Sequence, residues 1–142
     1  MRFAAMANIF LLEDDKILSK GISIALKKDE HMVTAVYGYL EALKQYQKQK
    51  YDLFLLDINL PYENGYEVCR KIKQVMPVPI IFVTSRDTNA DELKSIQVGG
   101  IDFITKPYDT LILLEKIKRA LQLSNPNNFR ELVKKVFLTR SQ

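Results

Sequence analysis

The sequence predicts an α/β fold, a doubly wound five-stranded parallel sheet with helices on both faces. Three of its five apolar or β-branched runs are continuous rather than alternating, a pattern typical of strands buried on both faces of a parallel sheet. Strand-like and helix-like segments also alternate five times within about 115 of the 142 residues. Such alternation is typical of an open sheet whose helices cross over between parallel strands.

The predicted strands are the short hydrophobic runs at residues 8–12, 32–37, 53–56, 78–83 and 101–105. Between and after them, apolar side chains recur at the spacing of an amphipathic helix. This spacing predicts helices at residues 16–28, 40–49, 66–75, 90–98 and 110–123. Asp15 stands directly before the first helix, where an acidic side chain favours the helix N-terminus, and we expect it to cap that helix.

Composition excludes several classes of protein. One Cys and one His exclude an internal disulfide framework and most zinc sites. No apolar run approaches the roughly 20 residues that span a bilayer, and the N-terminus lacks a signal-peptide core. We therefore expect a cytoplasmic protein without a membrane partner. The net charge of +4 arises mainly in residues 124–142, which carry four basic residues against one acidic, so it is poor evidence for a nucleic-acid surface on the domain.

Charged and polar side chains follow the predicted strands. Glu13 and Asp14 follow the first strand, Asp57 the third, Thr84 the fourth and Lys106 the fifth. In open α/β sheets, ligands bind at these carboxyl ends. Carboxylates that converge repel one another unless a cation is bound, and oxygen ligands favour Mg²⁺ or Mn²⁺. An ammonium beside a hydroxyl suits a phosphoryl group, for which a carboxylate can be the nucleophile.

Other phosphate chemistries match these residues less well. A dinucleotide or P-loop site needs a glycine-rich turn after the first strand, and this turn is acidic. A metal-dependent phosphatase of the haloacid dehalogenase type would place a second Asp two residues after the nucleophile, where this chain has Asn59. Turnover of an external phosphate ester would be the mark of that alternative.

Taken together, the strand-end motifs resemble the receiver domain of two-component response regulators. They are Glu13-Asp14, Asp57-Ile58-Asn59-Leu60-Pro61 with Gly65, Thr84-Ser85, and Ile104-Thr105-Lys106-Pro107. Each motif is weak alone, but their order and spacing are specific. The resemblance covers residues 7–123 and implies a flavodoxin-like or CheY-like fold, with residues 124–142 forming a linker and an extra C-terminal helix.

The resemblance implies a role for each matching residue. Asp57 would accept a phosphoryl group from the phosphohistidine of a sensor histidine kinase. Asp14, Asp57 and the backbone carbonyl of Asn59 would bind Mg²⁺ (or Mn²⁺), and Glu13 would act through water. Lys106 would pair with the phosphoryl oxygens. The protein would therefore be no enzyme beyond its own phosphorylation and slow self-dephosphorylation.

Further roles concern switching and the lifetime of the phosphoryl group. Thr84 would turn inward to bond a phosphoryl oxygen, and Phe103 would follow it as an aromatic switch, although an aromatic residue on an edge strand also commonly packs in the core. Asn59 and Arg86 would tune dephosphorylation. The Lys106-Pro107 peptide bond would be cis.

Two segments resemble the winged-helix transcription-factor branch: Asn89-Ala90-Asp91-Glu92-Leu93-Lys94 and Asp102-Phe103-Ile104-Thr105-Lys106-Pro107-Tyr108. That branch dimerises through salt bridges on the face formed by the fourth helix, the fifth strand and the fifth helix. Lys94, Asp102 and Lys116 keep the usual charges. Glu92, Ile101 and Ile112 depart from them, so we expect an apolar or otherwise different homodimer interface. DNA would be bound only through a domain absent from this chain. The alternative is a stand-alone or phosphorylation-independent receiver that acts as a protein-interaction module.

Residues 124–142 have a helical pattern of their own. Apolar residues Phe129, Leu132, Val133, Val136 and Phe137 share one helical face, after a break with a proline and capping residues. The helix would pack on its own domain, begin a linker to an effector region, or dock on a partner or a second copy.

Three residues have a structural interpretation rather than a functional one. We expect His31 to be a solvated loop residue and Cys69 to be semi-buried rather than reactive. Gly65 should supply a backbone conformation that other residues resist.

Overall fold

The computed structural model describes residues 6–58, 65–85 and 89–124. Strands and helices alternate along the chain: β1 (Asn8–Leu12), α1 (Lys16–Lys28), β2 (Met32–Val36), α2 (Tyr39–Gln45), β3 (Leu53–Leu56), α3 (Gly65–Val75), β4 (Ile80–Thr84), α4 (Asn89–Gln97), β5 (Asp102–Thr105) and α5 (Thr110–Ser124). All strand pairs are parallel, in the order β2-β1-β3-β4-β5. The predicted five-stranded doubly wound sheet is confirmed. The predicted C-terminal helix lies outside the described residues.

Two apolar clusters cover the two faces of the sheet. Alternate residues of β1 point to opposite faces: Phe10 packs with α2 and α3, and Ile9 packs with α1 and α5. The same alternation runs through β3 and β4, whose side chains are all buried. This burial on both faces is the physical origin of the continuous apolar runs in the sequence.

α2 ends at Gln45, earlier than the predicted residue 49. At β4 and β2, the boundaries differ from the predicted ones because a backbone N–H is missing or bound elsewhere. β4 begins at Ile80 rather than at residue 78, because Pro79 has no N–H and contributes only its carbonyl, which accepts from Phe54 N at 3.0 Å. β2 ends at Val36, and the next N–H, that of Tyr37, donates to the Glu41 carboxylate at 3.2 Å. α1 begins as predicted, with the Asp15 side chain accepting from Ile17 N and Leu18 N.

The prediction for His31 is wrong. The side chain is buried, and its Nδ1 accepts a hydrogen bond from Ala7 N at 3.2 Å. Its Nε2 lies 3.6 Å from the Asp29 carboxylate. Burial lowers the pKa of His31, against the opposite effect of the Asp29 and Asp52 carboxylates. His31 therefore links the chain before β1 to the start of β2. The polar residues next to His31 in the sequence give no sign of this contact, because Ala7 is distant in the sequence.

Cys69 is more deeply buried than predicted. It lies in the cluster under α3 with no exposed surface, and its thiol donates to Val98 O at 3.4 Å. Burial raises the pKa of this thiol to about 11, so the thiolate is scarcely formed at neutral pH.

Gly65 has a different structural reason from the one predicted. A Cβ built on Gly65 would lie 2.1 Å from the carbonyl oxygen of Asp57, and the Gly65 N–H donates to Ile58 O at 3.2 Å. The first residue of α3 thus lies directly against the backbone after β3. Close approach of two backbones, rather than a left-handed conformation, requires glycine here.

No helix in the described part of the chain is long and apolar enough to cross a membrane.

Gly65→Ala should lower the free energy of unfolding by about 1–3 kcal/mol, because backbone atoms must move to admit the methyl group. Gly21→Ala is the matched control: a Cβ on Gly21, in α1, meets nothing within 4 Å. That variant should gain roughly 0.5–1 kcal/mol from the higher helix propensity of alanine. Urea denaturation of both variants measures the difference, and equal effects of the two substitutions would contradict the steric explanation.

Candidate functional site

The carboxyl ends of β1, β3, β4 and β5 meet at one edge of the sheet. Backbone hydrogen bonds continue the strand ladders one residue further: Glu13 N donates to Val36 O at 3.1 Å, and Asp57 N to Leu12 O at 3.0 Å. Lys106 N donates to Thr84 O at 2.7 Å. The sheet therefore fixes the backbone from which each of these side chains projects.

Three carboxylates gather at this edge. Glu13, Asp14 and Asp57 each place a carboxylate oxygen within 4.8 Å of the others. Glu13 and Asp57 are buried, and Asp14 is the more exposed. The cause is the strand order, since β1 and β3 are neighbours and their C-terminal residues emerge side by side.

Lys106 supplies the positive charge in this cluster. Its Nζ forms an ion pair with a Glu13 oxygen and donates to Asp57 Oδ2 at 3.0 Å. Burial alone would lower the pKa of this ammonium, but the two carboxylates outweigh burial and raise the pKa above its usual value. Lys106 is therefore held in its charged form between two buried acids.

Burial raises the pKa of Glu13 to about 7. The Asp57 charge acts in the same direction, whereas the hydrogen bonds from Lys106 and from Asp15 N oppose it. The Glu13 carboxyl thus binds a proton more readily than an exposed glutamate does. Two acids with one ammonium between them carry an excess of negative charge in a small space.

Thr84 and Phe103 lie on the two strands that complete this edge. Thr84 ends β4, is fully buried, and stands in register with Thr105 at the end of β5. Phe103 lies in register with Phe82 and is half-buried against the cluster that packs on α2 and α3. In this structure Phe103 packs on the core.

Sequence reasoning missed Tyr108 as a neighbour of the site. This half-buried residue packs with the cluster under α1 and α5, and burial, together with the Glu13 charge, raises the pKa of its phenol to about 12. Its aromatic side chain two residues after Lys106 was the available signal. Tyr108 therefore packs beside the site as a neutral phenol.

Some predicted residues lie outside the described part of the chain. These are Asn59, Arg86 and residues 125–142. The Lys106–Pro107 peptide bond is cis.

The donor set is suitable for a hard divalent cation. All three clustered side chains offer carboxylate oxygens, the ligands that Mg²⁺ prefers, and Asp14 leaves an open side on which water ligands can remain. A divalent charge would also relieve the excess of negative charge that Lys106 only partly balances.

Comparison with known proteins agrees with this geometry. The family model described as "Response regulator receiver domain" matches residues 9–118. The chain belongs to the response regulator receiver domain family. It is thus a receiver domain of the two-component response regulator type.

Among curated proteins, the chain is 32% identical over 127 residues to the response regulator ArlR of Staphylococcus saprophyticus, covering 89% of this chain and 58% of that protein. It is 30% identical over 123 residues to the sensory transduction protein RegX3 of Mycolicibacterium smegmatis, covering 87% and 54%. The receiver therefore spans about half the length of the curated relatives it matches.

Solved structures show the same fold. A two-component response regulator from Clostridium difficile superposes with a TM-score of 0.81 at 28% identity, covering 84% of this chain and 98% of that one. The BeF3-activated DrrB receiver domain superposes with a TM-score of 0.76 at 31% identity, covering 82% and 98%. DrrB is described as a Thermotoga maritima OmpR/PhoB homologue, which agrees with the winged-helix branch.

Lys106→Met should lower the free energy of unfolding of the metal-free receiver by about 2 kcal/mol at pH 8, because it leaves two buried carboxylates without their ammonium. Adding Glu13→Gln should recover much of this loss, since it removes one of the uncompensated charges. Urea unfolding in the presence of a chelator measures both variants. A double variant no more stable than Lys106→Met alone would contradict the charge balance described above.

Proposed function

We propose that the receiver accepts a phosphoryl group on Asp57 from the phosphohistidine of a sensor histidine kinase. The observation that carries the proposal is the environment of Asp57, a buried carboxylate 3.0 Å from Lys106 Nζ and clustered with Glu13 and Asp14. A buried acid surrounded by other acids and one ammonium lowers the stability of the fold. Phosphoryl transfer is a function that requires this arrangement.

In the proposed reaction, an Asp57 carboxylate oxygen attacks phosphorus. A P–O bond forms while the P–N bond to the kinase imidazole breaks, and the bonding pair stays on the ring nitrogen. Lys106, already within hydrogen-bonding distance of Asp57, orients the incoming phosphoryl oxygens. Thr84 would donate its hydroxyl to a phosphoryl oxygen afterwards.

Asp14, Asp57 and the Asn59 backbone carbonyl would hold Mg²⁺ (or Mn²⁺), with Glu13 acting through water. The cation would supply neutralisation of the charge on the phosphoryl oxygens. Asn59 and Arg86 would set the rate at which water hydrolyses the acyl phosphate, their roles resting on the resemblance of their positions to the family pattern. Catalysis is thereby limited to the receiver's own phosphorylation and dephosphorylation.

A groove beside Lys106 supports a protein as phosphoryl donor. It lies between α1 and α5, has a cavity volume of about 670 Å³, and is lined by Leu18, Ile22 and Tyr108. Ile17, at its rim, exposes 87% of its surface. An apolar surface adjoining a charged site is suited to the helices that carry a kinase histidine.

Asp57→Asn should abolish phosphorylation, because an amide is no nucleophile toward phosphorus. The assay incubates the receiver with Mg²⁺ and a small acyl-phosphate donor and counts added phosphoryl groups by intact mass. Asp15→Asn is the matched control: Asp15 adjoins the cluster but caps α1, so this variant should gain the phosphoryl mass as the wild type does.

Absence of the added mass from the wild type would reject the proposal. Retention of it by Asp57→Asn would assign the phosphoryl group to another residue.

The output surface we propose is the face of α4, β5 and α5. Thr84 and Thr105 are paired across β4 and β5. A movement of Thr84 would therefore change the packing of its neighbour on β5. Apolar residues are exposed on this face: Leu93, Ile96, Ile101 and Ile112. Lys116 is already paired with Asp102 of the same chain at 2.9 Å, so we propose a homodimer whose contact is mainly apolar, with the C-terminal helix as the other candidate interface.

The pair Ile96→Asp and Ile112→Asp should weaken dimerisation by at least about tenfold, because each buries a carboxylate in an apolar contact. Solution mass is measured with Mg²⁺ and beryllofluoride present. The control pair, Ile24→Asp and Leu40→Asp, alters exposed apolar residues of α1 and α2 and should leave the dimer intact. A dimer that tolerates the first pair would exclude this interface.

We further propose that residues 7–123 form the receiver and residues 124–142 a linker with an amphipathic helix. The protein would work in the cytoplasm and regulate transcription through a DNA-binding region beyond the receiver. A phosphorylation-independent interaction module remains the alternative function, and the clustered acids, which such a module does not need, favour phosphorylation.

A further inference from the structure

Most of the described charged residues that line two adjoining grooves are cations. The first, the α3–α4 groove, has a cavity volume of about 720 Å³ and includes Arg70, Lys73 and Lys94. The second, the α3–α5 groove, has a cavity volume of about 440 Å³ and includes Lys73, Lys116 and Arg119. Lys73 lines both, so the two grooves form one continuous basic surface over three helices.

Lys73 is held in place at the junction of the grooves. Its Nζ donates to Val78 O at 2.8 Å, and its methylene chain lies across Gly99, where an added Cβ would come within 3.2 Å of Lys73 Cγ. Gly99 has a φ of +108°, a conformation that favours glycine. An ammonium has three donors, and the bond to Val78 uses one of them.

Two further cations are also positioned by contacts within the chain. Lys94 Nζ lies 5.0 Å from the centroid of the Tyr66 ring, and Lys116 Nζ lies 2.9 Å from Asp102 Oδ1. Side chains that are already ordered lose less conformational freedom when a ligand binds. The surface is therefore partly pre-organised for an anionic ligand.

Acidic residues are scarce among the described residues of this surface. Among the described residues that line the two grooves, the single acid is Asp102, which Lys116 already neutralises. Among these described lining residues, cations outnumber acids by five to one, and one of the cations, Arg70, also pairs with Glu67 of α3. The charge complementary to this surface is negative.

The lining also selects the class of ligand. The α3–α5 groove has an apolar floor that includes Val78, Pro79 and Ala120. No aromatic side chain is among the described lining residues of either groove, so these residues offer no ring on which a nucleobase could stack. Residues 124–142 carry a charge of +3, which makes the chain's own tail a poor occupant.

We propose that this basic surface is a docking site for an amphipathic acidic segment of a partner protein. Its carboxylates would pair with Lys73, Lys94 and Arg119 while its apolar side chains fill the α3–α5 groove. The surface includes the residues before β4 and the start of β5, at the edge of the sheet opposite Asp57. A partner bound there leaves the acidic cluster accessible.

The test measures binding of fluorescent peptides about 15 residues long to the whole chain by anisotropy. One peptide is helical with a leucine face and a glutamate face, a second replaces glutamate with glutamine, and a third replaces leucine with serine. The first should bind at least roughly tenfold more tightly than either other peptide, and added salt should weaken it. Equal binding of the first and third peptides would overturn the proposal, because the glutamates alone would then account for binding and the leucine face would contribute nothing.

Variants that reverse the charge of groove residues test whether the first peptide binds at the proposed basic surface. Lys94→Glu with Arg119→Glu alters one cation of each groove and should weaken binding of the first peptide by about tenfold or more. Lys20→Glu with Lys27→Glu makes the same charge change on exposed positions of α1 and should change affinity less than about threefold. Equal losses in the two variants would overturn the proposal, as would tighter binding of a DNA duplex than of the peptide.

Discussion

The arrangement of the site depends on one interaction, the ammonium of Lys106 between the carboxylates of Glu13 and Asp57. Parallel strands with β1 beside β3 bring those two acids together, and the sheet buries both. Two buried charges of one sign are unfavourable unless a cation neutralises them. Lys106, which follows β5, supplies that cation from the far side of β4. In the proposed function, a divalent ion and a phosphoryl group would replace this pairing.

This dependence gives the site a structural connection to one particular edge of the sheet. The backbone of Lys106 is bonded to Thr84 O, and Thr84 is in register with Thr105. Phe103 lies two residues before Thr105, and its N–H donates to the Asp102 carboxylate. The same carboxylate pairs with Lys116 of α5. A shift of Lys106 or Thr84 therefore reaches β5 and α5 through bonded neighbours. At the other edge, β2 is bonded to the site through Val36 O, which accepts from Glu13 N.

Sequence patterns predicted the elements whose causes are local. The bounds of α1 and β3 agree with prediction, because Asp15 caps the former and an unbroken apolar run forms the latter. Features set by distant contacts were missed. His31 is buried through Ala7, and Gly65 is required by the Asp57 carbonyl; neither partner is a sequence neighbour. The strand-end acids were predictable because topology alone brings the carboxyl ends of parallel strands together.

Net charge concealed the electrostatic character of this domain. Residues 1–123 carry 17 basic and 16 acidic residues, which suggested an unremarkable surface. The structure separates these charges: acids converge on the end of the sheet that holds Asp57, and cations line the grooves of α3, α4 and α5. A sum near zero is compatible with strong local fields of both signs, since the potential depends on where charges lie and how well solvent screens them. The two proposals therefore place a phosphoryl group with its cation at one end of the domain and the carboxylates of a partner at the other.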